Sequence, residues 1–155
     1  MAELNVRRYN KPDQETVRDL YIMGLKQNNA YIGGDWDNDL GNIEEVYLKN
    51  GDFIVGELNN KIVAMGAFKK ISDNRAEIKR IRIHPDYQRK GFGQTILDEL
   101  EKRASKLGYK ILQLDTTDKQ IPAQKFFEKN DYVKTKTERL EKHGLDIIYY
   151  EKRLK

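Results

Sequence analysis

The chain has 155 residues, with 29 Lys and Arg against 25 Asp and Glu, a net charge of +4 and no cysteine. That length predicts one domain over residues 1–155 with a two-layer core, and the missing cysteines exclude disulfides, a thiolate metal site and a cysteine nucleophile. Interspersed charges of both signs predict no nucleic-acid partner, and the lack of a signal core or of roughly 18 consecutive apolar residues predicts a cytoplasmic chain with no membrane partner.

Leu4 to Arg8 reads as a first strand that passes through Lys11-Pro12-Asp13 into a helix, with Asp13 as its N-cap and Val17, Leu20, Ile22 and Leu25 along it. A loop with Gly33 and Gly34 follows, then a shorter helix over about Leu40 to Lys49, closed by Asn50-Gly51. Phe53 to Leu58 and Lys61 to Phe68 are two strands whose two-residue connection, Asn59-Asn60, predicts a tight hairpin. Ser72-Asp73-Asn74 turns the chain into a fourth strand from about Arg75 to His84. Along it Ile78 sits in one alternation phase and Ile81 and Ile83 in the other. A β-bulge near Lys79-Arg80 would produce that slip, as would a fully buried strand without strict alternation.

After Pro85 comes a short loop carrying Gln88, Arg89, Lys90, Gly91, Phe92, Gly93 and Gln94, and then a long helix. Phe92, Ile96, Leu97, Leu100, Ala104 and Leu107 repeat at three- and four-residue steps as one apolar stripe, and Gly108 ends it. The first turn of a helix presents unpaired N–H groups and the positive end of the macrodipole. Gly91 and Gly93 would let a phosphate approach the backbone, with Arg89 and Lys90 adding charge, so the loop reads as a pyrophosphate cradle. An ordinary glycine-containing turn with two solvated basic residues is the other reading. The dinucleotide fingerprint fails because its third small residue is Ile96, and the P-loop fails for want of a Gly-Lys-Ser/Thr ending.

Ile111 to Leu114 is a short fifth strand, and Lys119 to Lys129 a helix with Pro122 in its first turn and Phe126 and Phe127 near its end. Tyr132 to Arg139 and Leu145 to Lys152 close the chain as two strands across Lys142-His143-Gly144. His84 reads as a turn residue, and two histidines far apart predict no metal. Tyr31, Asp35, Trp36, Asp37 and Asp39 in the loop after the first helix suit a cationic amine held by carboxylates and an aromatic face. A solvated loop anchored by Trp36, with Asp39 capping the next helix, is the alternative.

Gln88-Arg89-Lys90-Gly91-Phe92-Gly93, preceded by Ile83-His84-Pro85, resembles the acyl-CoA binding motif of the GNAT superfamily of N-acyltransferases. The resemblance extends to the order of elements over nearly the whole chain. It implies an α/β fold, a mixed and mostly antiparallel sheet with a bulged, splayed central strand pair and helices on both faces. It also implies acetyl-CoA as cosubstrate, held by the backbone at Ile81, Arg82 and Ile83, by Gln88 to Gln94, and near Gln120 and Phe127. By the same resemblance Glu77 would be the general base, acting through water, and the Ile83 N–H the oxyanion donor. A solvated carboxylate paired with Lys79 or Arg75 is the other reading of Glu77.

The expected reaction is acetyl transfer to a primary amine, on a small molecule or peptide, by direct attack in a ternary complex. An amine with a pKa of about 10.4 loses its proton at pH 7 only at a cost of about 4.6 kcal/mol, so a base or water relay is needed. One departure from the family is Phe127, where GNAT enzymes often carry a tyrosine as general acid; Tyr109, Tyr132, Tyr149 and Tyr150 stay open as substitutes. The alternative function is a non-catalytic acyl-CoA-binding sensor or regulatory module of the same fold. Terminal strands of such folds can pair between subunits, which leaves a homodimer open.

Overall fold

The computed structural model describes residues 3–27 and 34–155, with the side chains of Leu25, Gln27, Asp35, Trp36 and Asp37 outside that description. The chain runs β1 (Asn5–Arg8), α1 (Gln14–Gln27), α2 (Ile43–Val46), β2 (Asp52–Leu58), β3 (Lys61–Ser72), β4 (Arg75–Ile83), α3 (Phe92–Lys106), β5 (Ile111–Thr117), α4 (Ile121–Lys129), β6 (Val133–Leu140) and β7 (Leu145–Arg153). One seven-stranded sheet has the order β1-β2-β3-β4-β5-β7-β6. Only β4 and β5 run parallel; the other neighbours are antiparallel. This is the mixed, mostly antiparallel sheet that the resemblance to the GNAT superfamily implies.

β2 and β3 are near-continuous apolar runs because both of their faces are covered. Ile54, Ala64 and Phe68 join Ile96, Leu97 and Leu100 of α3 in one apolar cluster. Their neighbours Phe53, Val55, Met65 and Ala67 join Val17, Leu20 and Tyr21 of α1 in a second cluster on the opposite side. The Asn59-Asn60 connection adopts φ of 53° and 67°, the paired left-handed geometry of a tight hairpin.

The stripe along α3 is buried from Phe92 to Ala104, but Leu107 is 57% exposed because it is already the C-cap. The second helix is shorter than expected, with Tyr47 to Asn50 as turns. Asp13 does not cap α1 from outside; it lies in a 3₁₀ turn and accepts the Asn10 N–H at 2.8 Å and the Arg7 guanidinium at 2.7 Å. Among the described residues no helix is long and apolar enough to cross a membrane.

The slip along β4 is a bulge. Met65 opposes Arg82 and Ala67 opposes Lys79, so Gly66 alone faces both Arg80 and Ile81. Arg80 takes the left-handed conformation, φ 64°. Beyond it the faces exchange, which returns Ile81 and Ile83 to the side that Ile78 covers. Gly66 is where α3 presses closest on the sheet: a Cβ there would stand 2.6 Å from Ile96 Cγ2.

Candidate active site

β4 and β5 pair at Arg75–Ile111, Ala76–Leu112 and Glu77–Gln113, and pairing ends there although β4 continues to Ile83 and β5 to Thr117. The two strands splay into a wedge. The His84 N–H donates to Val63 O on β3 at 2.8 Å. Since backbone groups alternate sides along a strand, the Ile81 and Ile83 amides point the other way, into the wedge.

The wedge opens beside the start of α3. A 3₁₀ turn, Pro85–Tyr87, is capped by His84, whose Nδ1 accepts the Asp86 N–H at 3.1 Å, so His84 is a turn residue. Arg89 and Gly91 then both take left-handed backbone, φ 63° and 82°. Gly91 is the N-cap of α3, offers no side-chain bond to the first turn, and has open space where a Cβ would stand. The orphan N–H groups of that turn are therefore uncovered. Arg89 and Lys90 are exposed beside it, while the Phe92 ring is in the core. Gln94 forms an amide pair with Asn130 at 2.7 and 3.1 Å, and Gln88 Nε2 reaches Ile83 O at 3.3 Å.

Gln120 and Phe127 come from α4 and its approach. Gln120 Oε1 accepts from the buried Thr116 hydroxyl at 2.6 Å, next to the wedge on β5. Phe127 is buried in the core, edge-on to Tyr132 at 5.7 Å between ring centroids. Its neighbour Phe126 lies closer to the cradle, with Cζ 3.9 Å from where a Cβ on Gly93 would stand.

One face of the wedge is polar. Glu77 is part-buried at the last β4–β5 pair, and its ion-pair partner is Lys69 at 3.8 Å rather than Lys79 or Arg75. Arg75 is held instead by Glu151 at 2.8 Å. Asp115, two residues past Gln113, shares that face, because the fifth strand runs on to Thr117 rather than ending at Leu114. Although part of its surface is exposed, desolvation lifts its carboxyl above the usual range against the pull of Lys79 and Arg80. Tyr149 pairs with Asp115 across β5 and β7. Desolvation, then Glu138, Asp115 and Glu77, raise its phenol, so it keeps its proton at neutral pH. The hydroxyls of Tyr109, Tyr132 and Tyr150 are committed to Asn50 O, Glu101 and Glu128 at 2.5, 2.7 and 2.8 Å. Among the described residues the Tyr149 hydroxyl makes no hydrogen bond.

The same face carries the bulge residue Arg80. Its guanidinium grips Asp39 at 2.9 and 2.5 Å, reaches the Tyr21 hydroxyl at 3.1 Å and lies 4.6 Å from that ring's centroid. Tyr47 donates a third hydrogen bond to Asp39. Burial alone would raise the Asp39 carboxyl, but the bonds from Arg80 and Tyr47 prevail and hold it below the usual range. Asp39 is thus neutralised, and neither caps a helix nor faces a cationic amine. Of the other acceptor residues predicted, Tyr31 lies outside the described residues. Asp35 and Trp36 fall in the 3₁₀ segment Gly34–Gly41 with side chains undescribed. Among the described residues no group of three or more His, Cys, Asp or Glu could hold a metal.

A seven-stranded α/β sheet that opens at a bulged central strand, beside a glycine-capped helix start, defines a protein of the acyltransferase fold class. The chain belongs to the acetyltransferase (GNAT) family, whose sequence profile matches residues 10–132. A GNAT-family acetyltransferase of Staphylococcus aureus Mu50 superposes with a TM-score of 0.88 at 25% identity, over 99% of this chain and 100% of that one. The yncA protein of Salmonella typhimurium, solved with its cofactor acetyl-CoA, superposes with a TM-score of 0.79 at 17% identity, over 99% of this chain and 95% of that one. An amino-acid acetyltransferase of Azotobacter vinelandii is 37% identical over 68 residues, 43% of this chain. The match spans only 16% of that relative's length.

Proposed function

We propose that the chain, as one domain over residues 1–155, transfers an acetyl group from acetyl-CoA to a primary amine by direct attack in a ternary complex. The observation that carries this reading is a coincidence of position. The bulge turns the Ile81 and Ile83 amides into a wedge without a partner strand, and the same wedge opens onto the uncovered N–H groups of α3. Open space above Gly91 and the exposed Arg89 and Lys90 fit a pyrophosphate, and the family supplies acetyl-CoA as the donor.

Acetyl-CoA brings an activated acyl group; the chain's own residues do the rest. Gln88 to Gln94 and the backbone amides of Ile81 and Ile83 bind, with Gln120 and Phe126 lining the far side. The Ile83 N–H faces the thioester oxygen and meets the charge that develops there. Glu77 takes the amine proton through water, with Asp115 beside it. Tyr149 holds a proton that can pass to the departing thiolate, which takes over the role left vacant at Phe127.

The test is calorimetric binding of acetyl-CoA to the wild type and to Gly91→Glu, with a thiol-release assay over a panel of amines. Binding lost in Gly91→Glu, together with thiol release for at least one amine and slower release in Tyr149→Phe, is the expected outcome. Binding without release for any amine would favour a non-catalytic acyl-CoA sensor, the reading that a core phenylalanine at position 127 supports. No binding by the wild type would overturn the proposal.

A further inference from the structure

Arg80 and Arg82 stand two residues apart on β4, and their side chains share the α1 side of the sheet. Their surroundings differ. Arg80 is matched by the bidentate Asp39. Among the described residues Arg82 has no carboxylate: Nη1 donates to its own strand's Ile81 O at 2.8 Å, and the guanidinium lies 5.3 Å from the Tyr21 centroid. Its Nε is buried and, among the described residues, has no acceptor. Burial, and after it the neighbouring Arg80 charge, make the protonated form harder to hold, with Tyr21 acting the other way. A guanidinium stays charged in a protein, so a buried unmatched one is a standing demand for an anion.

The place of that demand is informative. Ile81 O points into the wedge, so the guanidinium bound to it lies at the wedge's mouth, on the face that also carries Glu77 and Asp115. Nε lies against α1, 3.1 Å from where a Cβ on Gly24 would stand, and Nη1 is engaged, so the Nη2 end is the part left to take a carboxylate oxygen. Asp39 already cancels Arg80, which leaves the single charge of the Arg82 guanidinium as a match for one carboxylate.

We infer that Arg82 binds a carboxylate of the acceptor, so that the acceptor is a primary amine that also carries a carboxyl group. This rests on the amine-acetylation reading given above. Arg82 orients the acceptor by its acid end while Glu77 and Asp115 attract the ammonium end, which places the nitrogen over the thioester.

The experiment compares amino acids of varied chain length with their carboxamides, as substrates in thiol release and as ligands by calorimetry without acetyl-CoA. It uses the wild type, Arg82→Met and Arg82→Lys, with acetyl-CoA binding as the check on folding. For the best acid the wild type should show kcat/KM about 100-fold above that for its amide, and measurable binding of the acid alone. Arg82→Met should lose that preference while still binding acetyl-CoA, and Arg82→Lys should restore part of it. Amides that serve as well as acids in the wild type would overturn the inference, as would a preference that survives in Arg82→Met. If no amine gives thiol release, the catalytic reading fails by itself. Acid-over-amide binding, lost in Arg82→Met, would still uphold the carboxylate site, and equal or absent binding would overturn it.

Discussion

Arg80 and Asp39 show how much one ion pair can organise. Their side chains are only 11% and 16% exposed, so the charges are largely out of water and each depends on the other. Asp39→Ala removes the carboxylate that grips the buried Arg80 guanidinium, and urea denaturation at pH 7 should show a loss of about 3 kcal/mol. The pH dependence follows from the lowered carboxyl. A group whose folded pKa lies below its unfolded value of about 3.9 stabilises fully above that value, and the contribution disappears as the pH falls through the folded one. The difference between wild type and Asp39→Ala should therefore be constant from neutral pH down to about 5 and shrink below about 4. Glu77 is a residue of another kind, one that little in the fold depends on. Its one ion pair among the described residues is to Lys69 at 3.8 Å, so Glu77→Gln should leave the urea midpoint nearly unchanged and lower kcat/KM for the amine about 100-fold, with the largest deficit where the amine is still protonated.

Among the elements, β3 and α3 are coupled through a missing side chain. Gly66 faces the bulge and lies under α3, where a Cβ would stand 2.6 Å from Ile96 Cγ2, 3.0 Å from Leu100 Cδ1 and 3.3 Å from Ile81 Cγ1. Gly66→Ala should lower stability by about 2 kcal/mol and also weaken acetyl-CoA binding, because the helix it lifts carries the cradle at its start. Calorimetry on the folded variant separates the two effects. The elements themselves were largely legible in the residues. The stripe from Phe92 to Ala104 gave α3, the phase change between Ile78 and Ile81 pointed to the bulge, and Asn59-Asn60 to the hairpin, since each is a local pattern. What could not be read are contacts between distant positions. Asp39 and Arg80 are 41 residues apart, and nothing near Asp39 separates a cap from an ion-pair partner. β5 outran its apolar residues because Thr116 is buried while Asp115 and Thr117 turn to the polar face.

At the scale of the whole molecule, the sheet is two unequal parts, β1 to β4 and β5 to β7, joined through three register pairs between β4 and β5. Arg75 to Glu151 at 2.8 Å and Lys152 to Glu101 at 3.1 Å add to that join at the closed end. A ligand seated in the wedge touches both parts and is absent from the unfolded chain, so it stabilises by mass action. Acetyl-CoA at about 100 times its Kd adds about 2.7 kcal/mol, which for a chain of this size predicts a rise in Tm of about 5–10 °C in a thermal melt. Gly91→Glu should show no such rise. The bulge at Arg80 and Ile81 has one more consequence: it creates a strand edge inside the sheet, where buried strands normally have none. Amide hydrogens in the middle of a sheet usually exchange only when the molecule opens. The Ile81 and Ile83 amides, turned toward the wedge, should exchange with solvent deuterium far faster than those of Ile54 or Val55 in the same free protein. Acetyl-CoA should then slow both, so that two isoleucine amides in the interior report occupancy from within the fold.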